Sequence, residues 1–242
     1  MRWREFLPCR PALTAPDLRP GGNHAVTDDR HPFTPPLIEA ERRAKGRYFL
    51  IEPSFWPAGG FPKIDFANED RLRRPGSFTI EPPNGDPDQY PERPHLVHAP
   101  KGGKTNGLPR DFEMLASKWI VSEPLKQVFL AVDPTAFAFA ACDFTLWDGR
   151  PGPQLHLCSV LRELDALDEG ASRVKIKTGD YVNGKYYHRA GGAALMFRPE
   201  AVGGAHVFAS PYSMDVFCDR VMRDAVVRAG LKGVRLQDAT DL

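Results

Sequence analysis

Leu125, Val128, Phe129 and Val132 recur at i, i+3, i+4 and i+7, a spacing that gathers side chains onto one face of a helix. They predict a helix over about 123–131 with one buried stripe. Pro124 suits its first turn, where no intrahelical partner awaits the missing N–H. A closing amphipathic helix is expected over 220–229, followed by "AGLKG", in which Gly230 and Gly233 can take left-handed cap or turn conformations. Between and around these lie short apolar runs rich in strand formers: "GRYFLIEPS" (46–54), "AFAFAACDFTLW" (136–147), "QLHLCSVL" (154–161), "SRVKIKT" (172–178), "AALMF" (193–197), "HVFAS" (206–210), "MDVFC" (214–218) and a final "VRL". Pro53 ends the first, and Gly and Asp clusters separate the others as turns. Strands dominate and the two clear helices are dispersed, which predicts an α+β fold built on a mixed, largely antiparallel sheet.

Two stretches echo each other at an offset of 97 residues. "WIVSEPLKQVF" (119–129) and "VFCDRVMRDAV" (216–226) align Ser122 with Asp219, Leu125 with Met222 and Phe129 with Val226, and Phe137 then aligns with Val234. Each copy reads strand, polar cap, amphipathic helix, turn, strand. Serine and aspartate are interchangeable as N-caps, because each offers a side-chain oxygen to the free N–H groups of a first turn. They are not interchangeable as nucleophiles, so Ser122 reads as a cap, with Asp219, Gly230 and Gly233 as the matching structural positions.

Of the 24 prolines, 18 fall in the first 110 residues, too many for regular helix or central strand. Residues 1–44 are expected to form a flexible arm with a short helix in "PPLIEAERRAKG", and residues 45–242 a single α+β domain whose 54–110 portion is proline-rich and irregular. A chain of 242 residues with 42% apolar content can bury a sizeable core, and a formal charge of +1 supplies no global pull toward nucleic acid or membrane. The four cysteines, Cys9, Cys142, Cys158 and Cys218, lack CxxC spacing and read as free thiols in a reducing compartment. No signal-peptide-like or bilayer-spanning apolar stretch stands out, so a cytoplasmic protein is expected.

Motifs for chemistry are sparse. "GGKT" (102–105) has the tail of a phosphate loop, but His98 stands where its first glycine belongs, and a solvated basic loop is expected instead. His95 and His98 are three apart without a further ligand at usable spacing and read as surface-loop histidines. His156 and His206 fall in strand-like runs, Cys142 and Cys158 in apolar ones, which suggests hydrogen-bonded imidazoles and inert thiols. There is no GxSxG, HExxH or GxGxxG. Neither a metal nor a cofactor is called for. "ELDALDEG" (163–170) clusters carboxylates that suit either a solvated turn or a docking patch for a basic partner, Asp165, Asp168 and Glu169 being its candidate contacts. "YVNGKYYHR" (181–189) reads as a hairpin about Asn183-Gly184, with Tyr181, Tyr186 and Tyr187 as candidate interface anchors.

Four segments in order, "LPRDFEMLASKWIVSEPLKQVF", "QLHLCSVLRELDALDEGAS", "ALMFRPEAVGGAHVFAS" and "VFCDRVMRDAVVRAGLKGVRL", resemble a bacterial polymorphic-toxin immunity family, immunity protein family eleven, once catalogued as a domain of unknown function. Asp111, Ser122, Asp165, Asp168, Ser172, Phe208, Gly230 and Gly233 occupy the matching places over about residues 46–242. Asp219 departs from the family's serine in the last motif, and "HVFASPYS" lacks its arginine after phenylalanine. The resemblance implies a non-enzymatic protein that binds and neutralises a cognate toxin, without cofactor, nucleic acid or membrane, in the setting of type VI or contact-dependent competition. The alternatives are a hydrolase with a noncontiguous site drawing on residues 54–110, and a structural or assembly module.

Overall fold

The structure, a computed structural model, describes residues 35–56, 64–86, 89–99 and 107–242. The expected arm before residue 35, Cys9 and the "GGKT" loop lie outside them. The described elements are α1 (Pro35–Ala44), β1 (Tyr48–Pro53), β2 (Ile64–Phe66), α2 (Glu69–Leu72), β3 (His95–His98), β4 (Phe112–Leu115), β5 (Lys118–Ser122), α3 (Glu123–Val132), β6 (Phe137–Thr145), β7 (Leu155–Val160), β8 (Lys175–Thr178), β9 (Lys185–His188), α4 (Pro199–Val202), β10 (Val207–Ala209), β11 (Val216–Asp219), α5 (Arg220–Ala229) and β12 (Val234–Asp238). A six-stranded sheet runs β2-β3-β6-β7-β5-β4, a four-stranded sheet β10-β11-β1-β12, and β8 and β9 form a separate ribbon. Every named pairing is antiparallel except β3 with β6. The fold is α+β.

The internal echo is topological. β5 and β6 are both antiparallel to β7, which lies between them, and β11 and β12 are both antiparallel to β1. Each helix therefore connects two parallel strands separated by one antiparallel strand. Both helices have ten residues, and α3 and α5, like the starts of β6 and β12, lie 97 positions apart. Ser122 Oγ accepts the Leu125 N–H at 3.3 Å, and Asp219 Oδ1 accepts the Met222 N–H at 3.0 Å.

The two helices pack together in a core fed from both sheets: Phe49 and Ile51 of β1, Val121 of β5, Leu125 and Phe129 of α3, Phe137 of β6, Met222 and Val226 of α5. Phe129 stacks on Phe137 with ring centres 4.5 Å apart. Alternate residues point the other way: Leu50 joins a second cluster with Phe208 and Phe217, and Ile120 joins a third with Leu96 and Leu157. The inner strands β1, β7 and β11 are thus covered on both faces, whereas Asp65, Met114 and Asp143 are exposed. This is why the inner strands read as unbroken apolar runs rather than alternating ones.

Side-chain bonds tie the first repeat to the four-stranded sheet and to the second repeat. Asp133, after α3, is 5% exposed; its carboxylate is gripped by the Arg162 guanidinium and accepts the N–H groups of His206 and Val207. Burial pushes its pKa up, but the Arg162 and backbone bonds outweigh that and hold it below the usual range. At the opposite corner Asp111 accepts Ser122 Oγ–H on Oδ1 and Lys232 N–H on Oδ2. Gly233, at φ +86°, lets the chain pass so close to β4 that a Cβ would stand 2.6 Å from the Phe112 carbonyl oxygen.

Three expectations need correction. "AALMF" is buried but is not a strand: Ala193 and Leu195 bond to Leu242 and Ala239, and only isolated bridges form at Ala194 and Phe197. His95 and His98 stand on β3 rather than in a surface loop; His95 Nε2 meets Thr145 Oγ1 at 2.8 Å, and His98 is 7% exposed. The Asn183-Gly184 pair is not a two-residue turn, since β8 and β9 are closed by a loop over 179–184.

Candidate functional site

The acidic stretch and the tyrosine ribbon, separate in sequence, meet at Lys185 on β9. Its ammonium lies 2.5 Å from Glu169 Oε1 and 4.1 Å from the centre of the Tyr212 ring. Tyr187 O–H donates to the same Glu169 oxygen at 2.6 Å. The Lys185 bond holds the Glu169 carboxyl below its ordinary range, and the same bond raises the Lys185 pKa. Burial, then the bond to Glu169, pushes the Tyr187 phenol up. Asp165 accepts from Tyr212 O–H at 3.3 Å and its main-chain oxygen from Arg198 at 2.5 Å. Asp168 turns inward as a loop cap, accepting the Ala171 N–H at 3.0 Å. A cavity of about 280 Å³ gathers Asp165, Asp168 and Glu169 with Lys185 and Arg198. Glu169 is therefore compensated by Lys185 and Asp165 by Arg198 within the fold, while Asp168 serves the backbone.

The three tyrosines divide. Tyr187 is 3% exposed and packs edge-on against Tyr212, whereas Tyr181 is half exposed and stacks on Tyr186 at 5.6 Å. Val182 beside it is fully exposed. The hairpin tip is fixed to the loop over 210–215 by Asn183 Nδ2–H on the Pro211 carbonyl at 2.6 Å and by Tyr187 N–H on the Tyr212 carbonyl at 2.9 Å. Between tip and loop lies a cavity of about 330 Å³ that is more apolar than polar. A second, of about 360 Å³, continues from it toward the β4–β5 turn, and Glu163, Ser210 and Met214 line both.

Sequence patterning did not single out Met214. It is 88% exposed and sits at φ +56°. Ala116 and Ser117, in the two-residue turn between β4 and β5, have φ of +48° and +62°. These three are the non-glycine residues with positive φ among those described, and Ser117 and Met214 both line the second cavity. Left-handed backbone at an alanine, a serine and a methionine costs of order 1–2 kcal/mol each, and such strain gathers at functional surfaces.

Elsewhere the serine, histidines and cysteines that the sequence singles out among the described residues are engaged or buried. Ser122 Oγ–H points at Asp111 and not at an imidazole. His156 Nε2 meets Glu123 Oε2 at 2.5 Å and His206 Nδ1 meets Asp219 Oδ2 at 2.8 Å. Burial pushes the Cys142 thiol up to about 12 and raises those of Cys158 and Cys218 as well, a poor setting for a thiolate nucleophile. Among the described residues no group of three or more His, Cys, Asp or Glu could hold a metal ion, and no helix is long and apolar enough to cross a membrane.

A family model described as "Immunity protein family (Imm11)" matches residues 47–241. No curated protein matches the chain.

Proposed function

The chain belongs to the Imm11 immunity protein family, and from that premise we propose that it binds a cognate toxin and neutralises it by non-catalytic contact, without a cofactor. The toxin is encoded by the adjacent reading frame and delivered by type VI or contact-dependent secretion, and the immunity protein meets it in the cytoplasm.

The contact surface is the hairpin tip with the 210–215 loop. Tyr181 and Tyr186 are its aromatic anchors, Tyr187, buried against Tyr212, ties the ribbon to the loop, and Asp165, Asp168 and Glu169 form its charged flank. One observation carries this: exposed Tyr181, Val182 and Met214 surround a groove whose walls hold strained, non-glycine backbone. The walls are cross-bonded to each other, so little ordering cost remains to be met on binding. Aromatic and methionine side chains on such a rigid frame suit a protein interface.

The test is co-expression with the neighbouring toxin domain in a host that it kills. Restored growth and a co-purifying complex are expected; death of the host with no complex formed sinks the reading.

A further inference from the structure

Residues 162–164 extend the four-stranded sheet by one short segment. Ala209 N–H donates to the Arg162 carbonyl at 2.8 Å and Leu164 N–H to the Ala209 carbonyl at 3.0 Å, so that Glu163 faces Ala209 in a parallel bridge. In that pattern the middle residue turns its own N–H and C=O to the opposite side. Neither main-chain group of Glu163 has a partner among the described residues. An edge with unpaired N–H and C=O is a template for another strand.

The setting of this edge selects its occupant. Glu163 lies where the two cavities join, with the 330 Å³ space separating it from the hairpin tip. Its carboxylate is exposed and has no ion pair among the described residues, whereas Asp165 and Glu169 nearby are met by Arg198 and Lys185. Lys118, on the wall of the second cavity, has Glu81 as its electrostatic neighbour. A second copy of this chain paired about Glu163 would bring like charges together, which disfavours self-association. A basic side chain would be matched.

We propose that an extended segment of the toxin adds to this edge as a further strand. Its main chain pairs with Glu163 N–H and C=O, a lysine or arginine faces the Glu163 carboxylate, and an apolar side chain seats against Met214 and Tyr181. Main-chain bonds supply affinity in this mode and the flanking pockets supply specificity. The identity of the partner rests on the toxin-binding reading; the strand-accepting edge does not.

The experiment follows amide exchange at Glu163 by NMR in the full chain, with two probes: the inactivated toxin domain of the adjacent reading frame, and linear peptides selected on the full chain from a random displayed library. Both are expected to slow exchange at Glu163 by about tenfold or more, and the selected peptides to alternate apolar residues with lysine or arginine. Glu163→Lys, at an exposed side chain without an internal partner, should keep the native melting profile and weaken both probes by about tenfold or more, with Glu163→Gln intermediate. Toxin binding that protects other amides and leaves Glu163 unchanged overturns the added strand and leaves the toxin reading intact. Peptide protection at Glu163 without toxin binding does the reverse. Failure of both probes to protect Glu163 overturns the proposal outright.

Discussion

Ser122 gives its hydroxyl hydrogen to Asp111 Oδ1 at 2.8 Å while its oxygen caps α3 through Leu125 N–H, and Asp111 Oδ2 holds Lys232 N–H in the turn after α5. One serine and one aspartate thus join the start of one repeat's helix to the end of the other's. Ser122→Ala loses the cap and leaves Asp111 short of a donor, a cost of about 1–3 kcal/mol. A urea midpoint lowered accordingly, with toxin affinity per folded molecule unchanged, is expected. Full stability with lost binding would make the hydroxyl a contact residue instead.

The two glycines behind α5 should respond differently. Gly230→Ala meets open space at φ +64°, so only left-handed strain is added, about 1 kcal/mol. Gly233→Ala adds a clash with the Phe112 carbonyl oxygen to strain at φ +86° and should cost about 2 kcal/mol or more. Thermal unfolding of the pair checks the order; an equal loss would deny the close approach of the turn to β4.

Acid should destabilise the protein in two steps. Burial lowers the His156 pKa below 6.5 against the pull of Glu123, so the unfolded chain takes up that proton first and stability falls as pH drops below 6.5. Glu123 is held at about 2 by its bonds from Gln127 and then His156 and Lys126, against an ordinary value of 4.5. Its contribution is complete above 4.5 and is lost as pH falls toward 2. His156→Asn should remove the upper step in melting temperature against pH and keep much of the lower one. An unaltered upper step would assign it elsewhere.

The repeats were legible because caps and 3.6-residue periodicity are local signals: Ser122 and Asp219 are polar residues that end apolar runs and precede amphipathic stripes. β4 was not, because Glu113, 1% exposed and held by Arg110 and Trp56, puts a carboxylate where a strand's buried face should be apolar. β3 hid among prolines. "AALMF" announced burial correctly but not a ladder, since an apolar run says nothing of where its N–H groups go. Local composition singled out the tyrosines and the acidic stretch as candidates, but Tyr187 is buried. The Lys185 junction, the left-handed Met214 and the open side of Glu163 arise only when distant segments meet.

Strain and binding should trade places at the groove. Replacing Ala116-Ser117 by Asn-Gly suits a turn with two positive φ values and should stabilise the fold by about 1 kcal/mol or more. Met214→Gly relieves strain too but removes an exposed apolar side chain, so toxin affinity should fall by about tenfold while the melting temperature holds or rises. Affinity unchanged by Met214→Gly would move the interface elsewhere.

The central claim is tested most directly by titrating the purified toxin domain of the adjacent reading frame with this protein while following the toxin's own activity. The account predicts a saturable complex that silences the toxin, and a Tyr181→Ala, Met214→Gly double variant that folds but needs a much higher concentration to do so. A toxin that stays fully active at saturating protein, or a double variant that protects as well as the native chain, would contradict it.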